Sequence, residues 1–344
     1  MASTMTIGIF VGKYPLQKWM LVAVLAFGMP LSMAAEAEVT PEKMVSAIED
    51  VFGVTPGERR NHIKGTCAAG EFVGVTDAAA AYSRSSLFSG KSVPVVARFS
   101  LAGGNAKAPD VAKSPRGMAL EFGLPNGELQ HMTMLNVPIF GAAQPGSFFD
   151  MFIAMKPEPA TGKSNPEKMK AFRVSHHDSH ALGDFMAHNN PPVSYSNSAY
   201  FGIHTFKFVN LADKETLVRW RFVPQDGEKQ LSDTELMTLP PNFLEQALIA
   251  RTKQWPLRWD MVIAIGEPGD SVDDPTLPWL AKRKEVKVGT LTLSSAMPQK
   301  GAACEKINFD PLVMSDGIRP TNDPILLFRS PTYAISFAKR MGGM

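Results

Sequence analysis

Near the C-terminus an Arg precedes a Tyr by four positions, in Arg329-Ser-Pro-Thr-Tyr333. On a helix, residues four apart share a face, so the Arg329 guanidinium can lie against the Tyr333 phenol oxygen. A fixed positive charge there favours the phenolate, a hard anionic ligand suited to ferric iron, whereas neutral Tyr is a poor one. Alone, the pair also fits an exposed helix-face Arg packed on an aromatic ring. A second candidate is His62, in Arg59-Arg-Asn-His62-Ile-Lys-Gly65, because neutral imidazole accepts and returns a proton near neutral pH. The small residues that follow, Thr66-Cys-Ala-Ala-Gly70, let the chain sit close against something flat. A third is His176-His177-x-x-His180, which can put two imidazoles on one helix face at a spacing that could ligate zinc or copper. Only Asp178 stands nearby as a further ligand, so a solvated loop or helix start is the expectation for that stretch.

The elements that must position these groups are short strands. From Val93 onward, runs rich in β-branched and aromatic residues cover Val93–Phe99, Gly117–Phe122, Thr133–Phe140, Phe206–Asn210, Leu217–Phe222, Met261–Ile265 and Val286–Leu293, with turn signals between them at Gly103-Gly104, Pro125-Asn126-Gly127 and Asp226-Gly227. Helical patterns interrupt them at about 146–155, 165–172, 182–188 and 241–253. Thr40-Pro41-Glu42 opens a further helix with an N-cap, a Pro at its first position and an acid in its first turn; Met44, Ile48 and Val51 form its apolar face, and Gly53 stops it. The pattern predicts an α+β fold around an antiparallel β-barrel in one domain.

The chain has 344 residues, 44% hydrophobic and 20% charged, as in soluble globular proteins, and a net charge of +2 gives no reason to expect a nucleic-acid partner. The apolar run Trp19–Phe27 follows Lys13 and Lys18, and Ser32-Met33-Ala34 offers small residues at the two cleavage-determining positions. Residues 1–34 therefore read as a secretory signal peptide, too short to span a bilayer comfortably, with uncleaved anchoring the second reading. Residues 35–344 would form the mature domain, periplasmic or secreted, with no stable membrane span after cleavage. Cys67 and Cys304 would sit in an oxidising setting, but two cysteines are no disulfide framework, and buried free thiols are the expectation.

From about Arg59 to Arg340 the motifs resemble, in order and spacing, the haem catalase superfamily, and specifically its short members, the catalase-related peroxidases. Arg59-x-x-His62-x-Lys-Gly65 is similar to the distal segment, Val96-Ala-Arg98-Phe-Ser100 to the strand whose Arg reaches a propionate and whose Ser supports the distal His, and Ser114-Pro-Arg-Gly117 and Phe201-Gly-Ile-His204-Thr-Phe-Lys207 to further family segments. Phe309-Asp-Pro311, Gly317-Ile-Arg-Pro320 and Asp323 lead into Arg329 and Tyr333 as the proximal stretch does. The resemblance implies haem b with Tyr333 as axial ligand, Arg59, Arg98 and Arg340 on its two propionates, Phe148 stacked on its distal face, and His204 and Asp323 holding Arg329. Arg forks pair bidentately with carboxylates, which makes the three arginines chemically sensible anchors.

With His62 as proton shuttle and Ser100 fixing its ring, the resemblance implies O–O heterolysis and a ferryl intermediate. It departs at the distal Asn: large catalases carry one three residues before the Pro of a Thr-Pro pair, but here that position is Leu135, and Asn136 stands two before Pro138. Leu135 in the pocket is the simpler reading, a local bulge presenting Asn136 the other. An apolar distal wall handles a second peroxide poorly and leaves oxidising power for an organic donor. The expected function is reduction of hydrogen peroxide, or of organic hydroperoxides, by a small organic reductant. A low-turnover catalase is the alternative, and a haem carrier the third reading. The long C-terminal extension of large catalases has no counterpart in this sequence, so a monomer or homodimer without a nucleotide site is expected.

Overall fold

Thr40 caps α1 (Pro41–Phe52), its hydroxyl accepting from the Lys43 N–H at 3.3 Å, and Gly53 ends it at φ 75°. Six helices lie between strands further on: α2 (Thr76–Ala80), α3 (Pro145–Met155), α4 (Pro166–Ser175), α5 (His180–His188), α6 (Asp233–Thr238) and α7 (Phe243–Thr252). The last element is α8 (Pro324–Met341). The strands are β1 (Gly65–Gly74), β2 (Ser92–Leu101), β3 (Arg116–Gly123), β4 (Leu129–Leu135), β5 (Tyr200–Phe201), β6 (Phe206–Val209), β7 (Glu215–Pro224), β8 (Leu257–Ile265), β9 (Glu285–Pro298) and β10 (Ile318–Pro320). This computed structural model describes residues 38–279 and 282–344, with positions 1, 2, 4, 8 and 12. Trp19–Phe27, the Ser32-Met33-Ala34 motif and the expected mature start near Ala35 lie outside the described residues.

Every pairing is antiparallel, and the order β1-β2-β3-β4-β5-β7-β8-β9 returns to β1, closing an eight-stranded barrel; β6 adds to β7 and β10 to β6. Closure leaves the eight barrel strands no free edge. Because strand side chains alternate, β2 sends Val95, Ala97 and Phe99 into the buried core while Arg98 and Ser100 face the other way. On β3, Met118, Leu120 and Phe122 join the core, as do Met132 and Met134 on β4. The outer face of β2–β4 is thus left with Arg98, Ser100, Gly117, Ala119, Thr133 and Leu135, a wall of small and polar groups.

Helices cover that wall. Met44, Ala47 and Ile48 of α1 cluster with Phe152 of α3, and Phe148 and Phe328 pack against them. Residues Val39–Met344 fold as one compact unit. The expected strand Thr133–Phe140 is β4 instead, ending at Leu135, because the next residues turn: the Asn136 side chain and backbone both pair with the Arg116 backbone, at 2.7 and 2.8 Å. The stretch Thr66–Gly70 is part of β1, whose small residues hide strand character. Cys67 and Cys304 are not free thiols as expected: they form a disulfide with Cα atoms 5.7 Å apart, joining β1 to the turn at Ala303–Glu305. Sequence separation hid it, since the two residues meet only when β1 and the segment after β9 are folded against each other.

Candidate active site

Between the barrel wall, α1, α3 and α8 lies a cavity of about 230 Å³. Arg59, His62, Arg98, Ser100, Phe148, Arg329, Tyr333 and Arg340 all line it, so eight of the ten residues that the family resemblance assigned to the haem site meet at one place. The other two, His204 and Asp323, stand directly behind Arg329.

At one side, Arg329 and Tyr333 share a face of α8. The Arg329 Nη2 donates to the Tyr333 hydroxyl at 2.9 Å and to Thr133 Oγ1 at 2.7 Å, while Nη1 donates to His204 Nε2 at 3.0 Å. A guanidinium can only donate, so Nε2 is an acceptor and the His204 proton sits on Nδ1, 2.6 Å from Asp323 Oδ2. Burial holds His204 below its ordinary value despite that carboxylate. Asp323 is fully buried, and its other oxygen caps α8, accepting from the Ile325 and Leu326 N–H groups at 2.9 and 3.1 Å. One carboxylate therefore starts the helix and orients the chain Asp323–His204–Arg329–Tyr333. Pro331 sits between Arg329 and Tyr333 and leaves the Leu327 carbonyl without its helical N–H.

On the other side, His62 Nδ1 lies 2.9 Å from Ser100 Oγ. With Nδ1–H donating to Ser100, Nε2 remains as an acceptor. Asn61 fixes the backbone here, its Oδ1 accepting from the N–H of His62 at 2.8 Å and of Gly103 at 2.7 Å, and His62 adopts φ 54°. Ile203, beside His204, has φ 67°; a left-handed β-branched residue is costly, on the order of 1–3 kcal/mol, and such strain clusters at functional sites. Burial, with help from Arg98, Arg329 and Arg59, pulls the His62 imidazole down to about 3, so it stands neutral, as a base must. A Cβ on Gly117 would come within 2.7 Å of Ser100 Oγ and 3.3 Å of His62 Nδ1, so glycine there makes room for the pair.

Three arginines gather at the rim. Arg59 donates to the carbonyls of Cys304 and Ile307, each at 3.0 Å. Arg98 donates to the His62 carbonyl at 2.6 Å and to Gln299 Oε1 at 2.8 Å. Arg340 reaches the Ile307 carbonyl at 3.4 Å and has a buried Nε with no partner. Burial, then the charges of Arg98 and Arg340, draw Arg59 down to about 8, and burial first draws Arg98 to about 10. Among the described residues none of the three has a carboxylate at ion-pair distance. No carboxylate among the described residues pairs directly with the cluster; Glu58 acts on all three guanidiniums only at longer range.

A family model described as Catalase matches residues 55–344. The chain belongs to the catalase family. It is 56% identical over 331 residues to a catalase-related peroxidase of Synechococcus elongatus, covering 95% of this chain and 97% of that one. A catalase-related peroxidase of Mycolicibacterium paratuberculosis is 32% identical over 305 residues, 88% of this chain and 96% of the relative. Among solved structures, a fungal catalase matches with a TM-score of 0.77 at 24% identity over 84% of this chain and 60% of its own, and catalase A from Saccharomyces cerevisiae with 0.77 at 22% over 83% and 62%. At that identity the two structures speak for the fold.

Catalase-family proteins bind haem, and the residues fit that group: buried guanidiniums suit two propionates, the flat wall at Gly117 and Ala119 suits a macrocycle, and Tyr333 offers a phenol oxygen. Leu135 lines this cavity, whereas the Asn136 amide oxygen is turned to the Arg116 backbone and the residue lines a separate hollow. Thr133, Asn61 and Gln299 went unnoticed in the sequence, since a lone polar residue on a strand or after Pro298 carries no signal. The His176 cluster stays apart: His176 stacks on Phe172 at 4.4 Å and lies 3.1 Å from Asp150, His180 bonds to the Arg173 carbonyl at 2.6 Å, and no metal-competent group of three exists among the described residues.

Proposed function

We infer that this chain is a haem peroxidase that reduces hydrogen peroxide with a small organic electron donor. The observation that carries the reading is that the Arg329–Tyr333 pair and the His62–Ser100 pair line one cavity. A passive carrier needs the first pair only. When bound, haem would hold the two oxidising equivalents that peroxide leaves behind until the donor returns the electrons. This chain's residues do the rest. Tyr333 would hold the iron, with Arg329 donating to its oxygen; Arg59, Arg98 and Arg340 would take the propionates; and Phe148 would pack on the ring. His62 Nε2 accepts a proton from one peroxide oxygen and returns it to the other, its ring aimed by Ser100. Leu135 offers no hydrogen bond to a second peroxide, which favours an organic reductant over disproportionation. The 56% identity to a protein named catalase-related peroxidase supports the same assignment.

Low-turnover disproportionation of peroxide is the second reading, favoured by relatives named catalase, such as one from Schizosaccharomyces pombe that is 30% identical over 315 residues. We take the group to be haem b and the working compartment to be the periplasm or the exterior. The N-terminal apolar run supports that placement, and so does a disulfide, which persists in oxidising compartments. A monomer or homodimer is the proposed state. Among the described residues no helix is long and apolar enough to cross a membrane. An absorption spectrum of the purified protein, followed by peroxide with and without an aromatic donor, tests the reading. A tyrosinate-ligated high-spin ferric spectrum and donor-dependent turnover are expected; oxygen evolution with no donor dependence would hand the case to the second reading.

A further inference from the structure

Behind the Arg98 side of the active cavity lies a second hollow of about 230 Å³, bordered by Glu58, Lys64, Asp110, Tyr195, Glu245 and Gln299. It is roomy for one ring, since an apolar cavity of about 150 Å³ holds benzene. Its lining carries three carboxylates and one cation, Lys64, and the three arginines of the active cavity reach Glu58 only at longer range. Lys64 is consumed by Asp110 at 2.7 Å and by the carbonyls of Ala108 and Pro241 at 2.8 and 2.9 Å. Glu58 and Glu245 have no cation at ion-pair distance among the described residues; Glu245 only accepts from Thr66 Oγ1 at 2.9 Å. Tyr195 is 2% exposed, yet its hydroxyl finds no hydrogen-bond partner among the described residues. Burial pushes its phenol up, so it stays a neutral donor and acceptor.

One contact links this hollow to the active cavity. Gln299 borders the hollow, and its Oε1 accepts from Arg98, which lines the active cavity. We propose that this hollow is the electron-donor site, and that the donor is a one-ring phenol or aniline bearing positive charge. The inference rests on the peroxidase reading. Each donor gives up one electron toward the active cavity and its phenolic or anilinic proton to Glu245 or Glu58 and on to solvent. Two donors supply the two electrons and two protons that turn one hydrogen peroxide into two waters.

The test uses the haem-loaded protein and two permanently charged probes, 4-hydroxyphenyl-trimethylammonium and 4-hydroxybenzenesulfonate. Their intrinsic reactivities differ, so the quantity read is how a variant changes the ratio of their kcat/KM values. Glu245→Gln should lower the cationic probe's advantage by roughly tenfold, through KM, the effect of about 1.4 kcal/mol for one lost charge pair in a partly buried site. Glu58→Gln should act in the same direction. Glu228→Gln, at a different hollow, serves as the control and should leave the ratio where it was. Haem content and the donor-free spectral response to peroxide are recorded alongside. If that response is missing in the parent protein, the peroxidase reading itself falls. If it is present and both Glu variants, haem-replete, keep the parental ratio, the hollow is not the donor site.

Discussion

The roles of single residues follow from what each can donate or accept, and they separate cleanly by substitution. Tyr333→Phe removes the phenol oxygen that Arg329 holds in the cavity, so the purified variant should lose the tyrosinate-ligated spectrum; keeping it would remove Tyr333 from the proximal role. For His62, the proposed proton carrier, His62→Asn is the better probe because Asn tolerates the left-handed backbone that His62 adopts. That variant should retain haem while peroxide consumption slows by ~10²–10⁴-fold, the usual worth of general acid–base help. A haem-replete variant within about tenfold of the parent would revive the carrier reading. The same imidazole makes the apo-protein sensitive to acid. Its folded value is about 3, set first by burial, against an unfolded value of about 6.5. Between those limits the unfolded chain holds a proton that the folded chain does not, so stability is full above about pH 6.5 and drains as pH falls toward 3. His204, also lowered chiefly by burial, adds in the same direction. The urea midpoint of the apo-protein should drop between pH 7 and pH 5, and the slope should shrink in His62→Asn. A flat midpoint, or one whose slope the variant leaves intact, would contradict the neutral His62.

At the scale of elements, much of the site was readable because its parts obey local periods. Arg329 and Tyr333 sit four apart on α8, as helical spacing predicts, and Arg98 and Ser100 point outward because β2 alternates. The Thr-Pro start of α1 and the helices at α3, α4, α5 and α7 were legible within a few residues. β1 was not, since its run of Thr, Cys, Ala and Gly has weak strand character and gains its place from partners on both sides, β2 and β9. Nor was the two-residue β5, which bridges β4 and β7 and lets the barrel close. Asp323 shows how an element and a site depend on each other. Asp323→Ala should lose the α8 cap, about 1 kcal/mol, and leave the buried His204 Nδ1–H unpaired, a further ~1–3 kcal/mol. Denaturant unfolding should therefore show a loss of about 2–4 kcal/mol, accompanied by a broadened Tyr–iron spectrum as Arg329 loses its backing. Loss of stability with an unchanged spectrum would confine Asp323 to helix capping.

Across the whole molecule, the active cavity is assembled by segments far apart in the chain, and the arginine rim shows how they are tied. Arg59 precedes the barrel, Arg340 belongs to α8, and both donate to the carbonyl of Ile307, while Arg59 also holds the Cys304 carbonyl. Gln299, at the start of the same stretch, holds Arg98. The residues from Gln299 to Ile307 thus form the backing on which all three guanidiniums rest, and the Cys67–Cys304 disulfide fastens that stretch to β1, where Cys67 sits opposite Arg98. The bridge spans a sequence separation of 237, so in the chain-entropy model it restrains the unfolded chain by about 5 kcal/mol, with about 2–5 kcal/mol the range seen in practice. Cys67→Ser with Cys304→Ser should lower the urea-unfolding free energy by that amount. It should also hasten haem transfer to an excess of apomyoglobin, because the arginines lose their fixed backing before the chain unfolds. Parent protein treated with a thiol reductant under mild urea should approach the double variant in both measurements. Equal stability and equal transfer rates in the oxidised parent and the double variant would show that the bridge is silent, and that hydrogen bonds alone hold the rim.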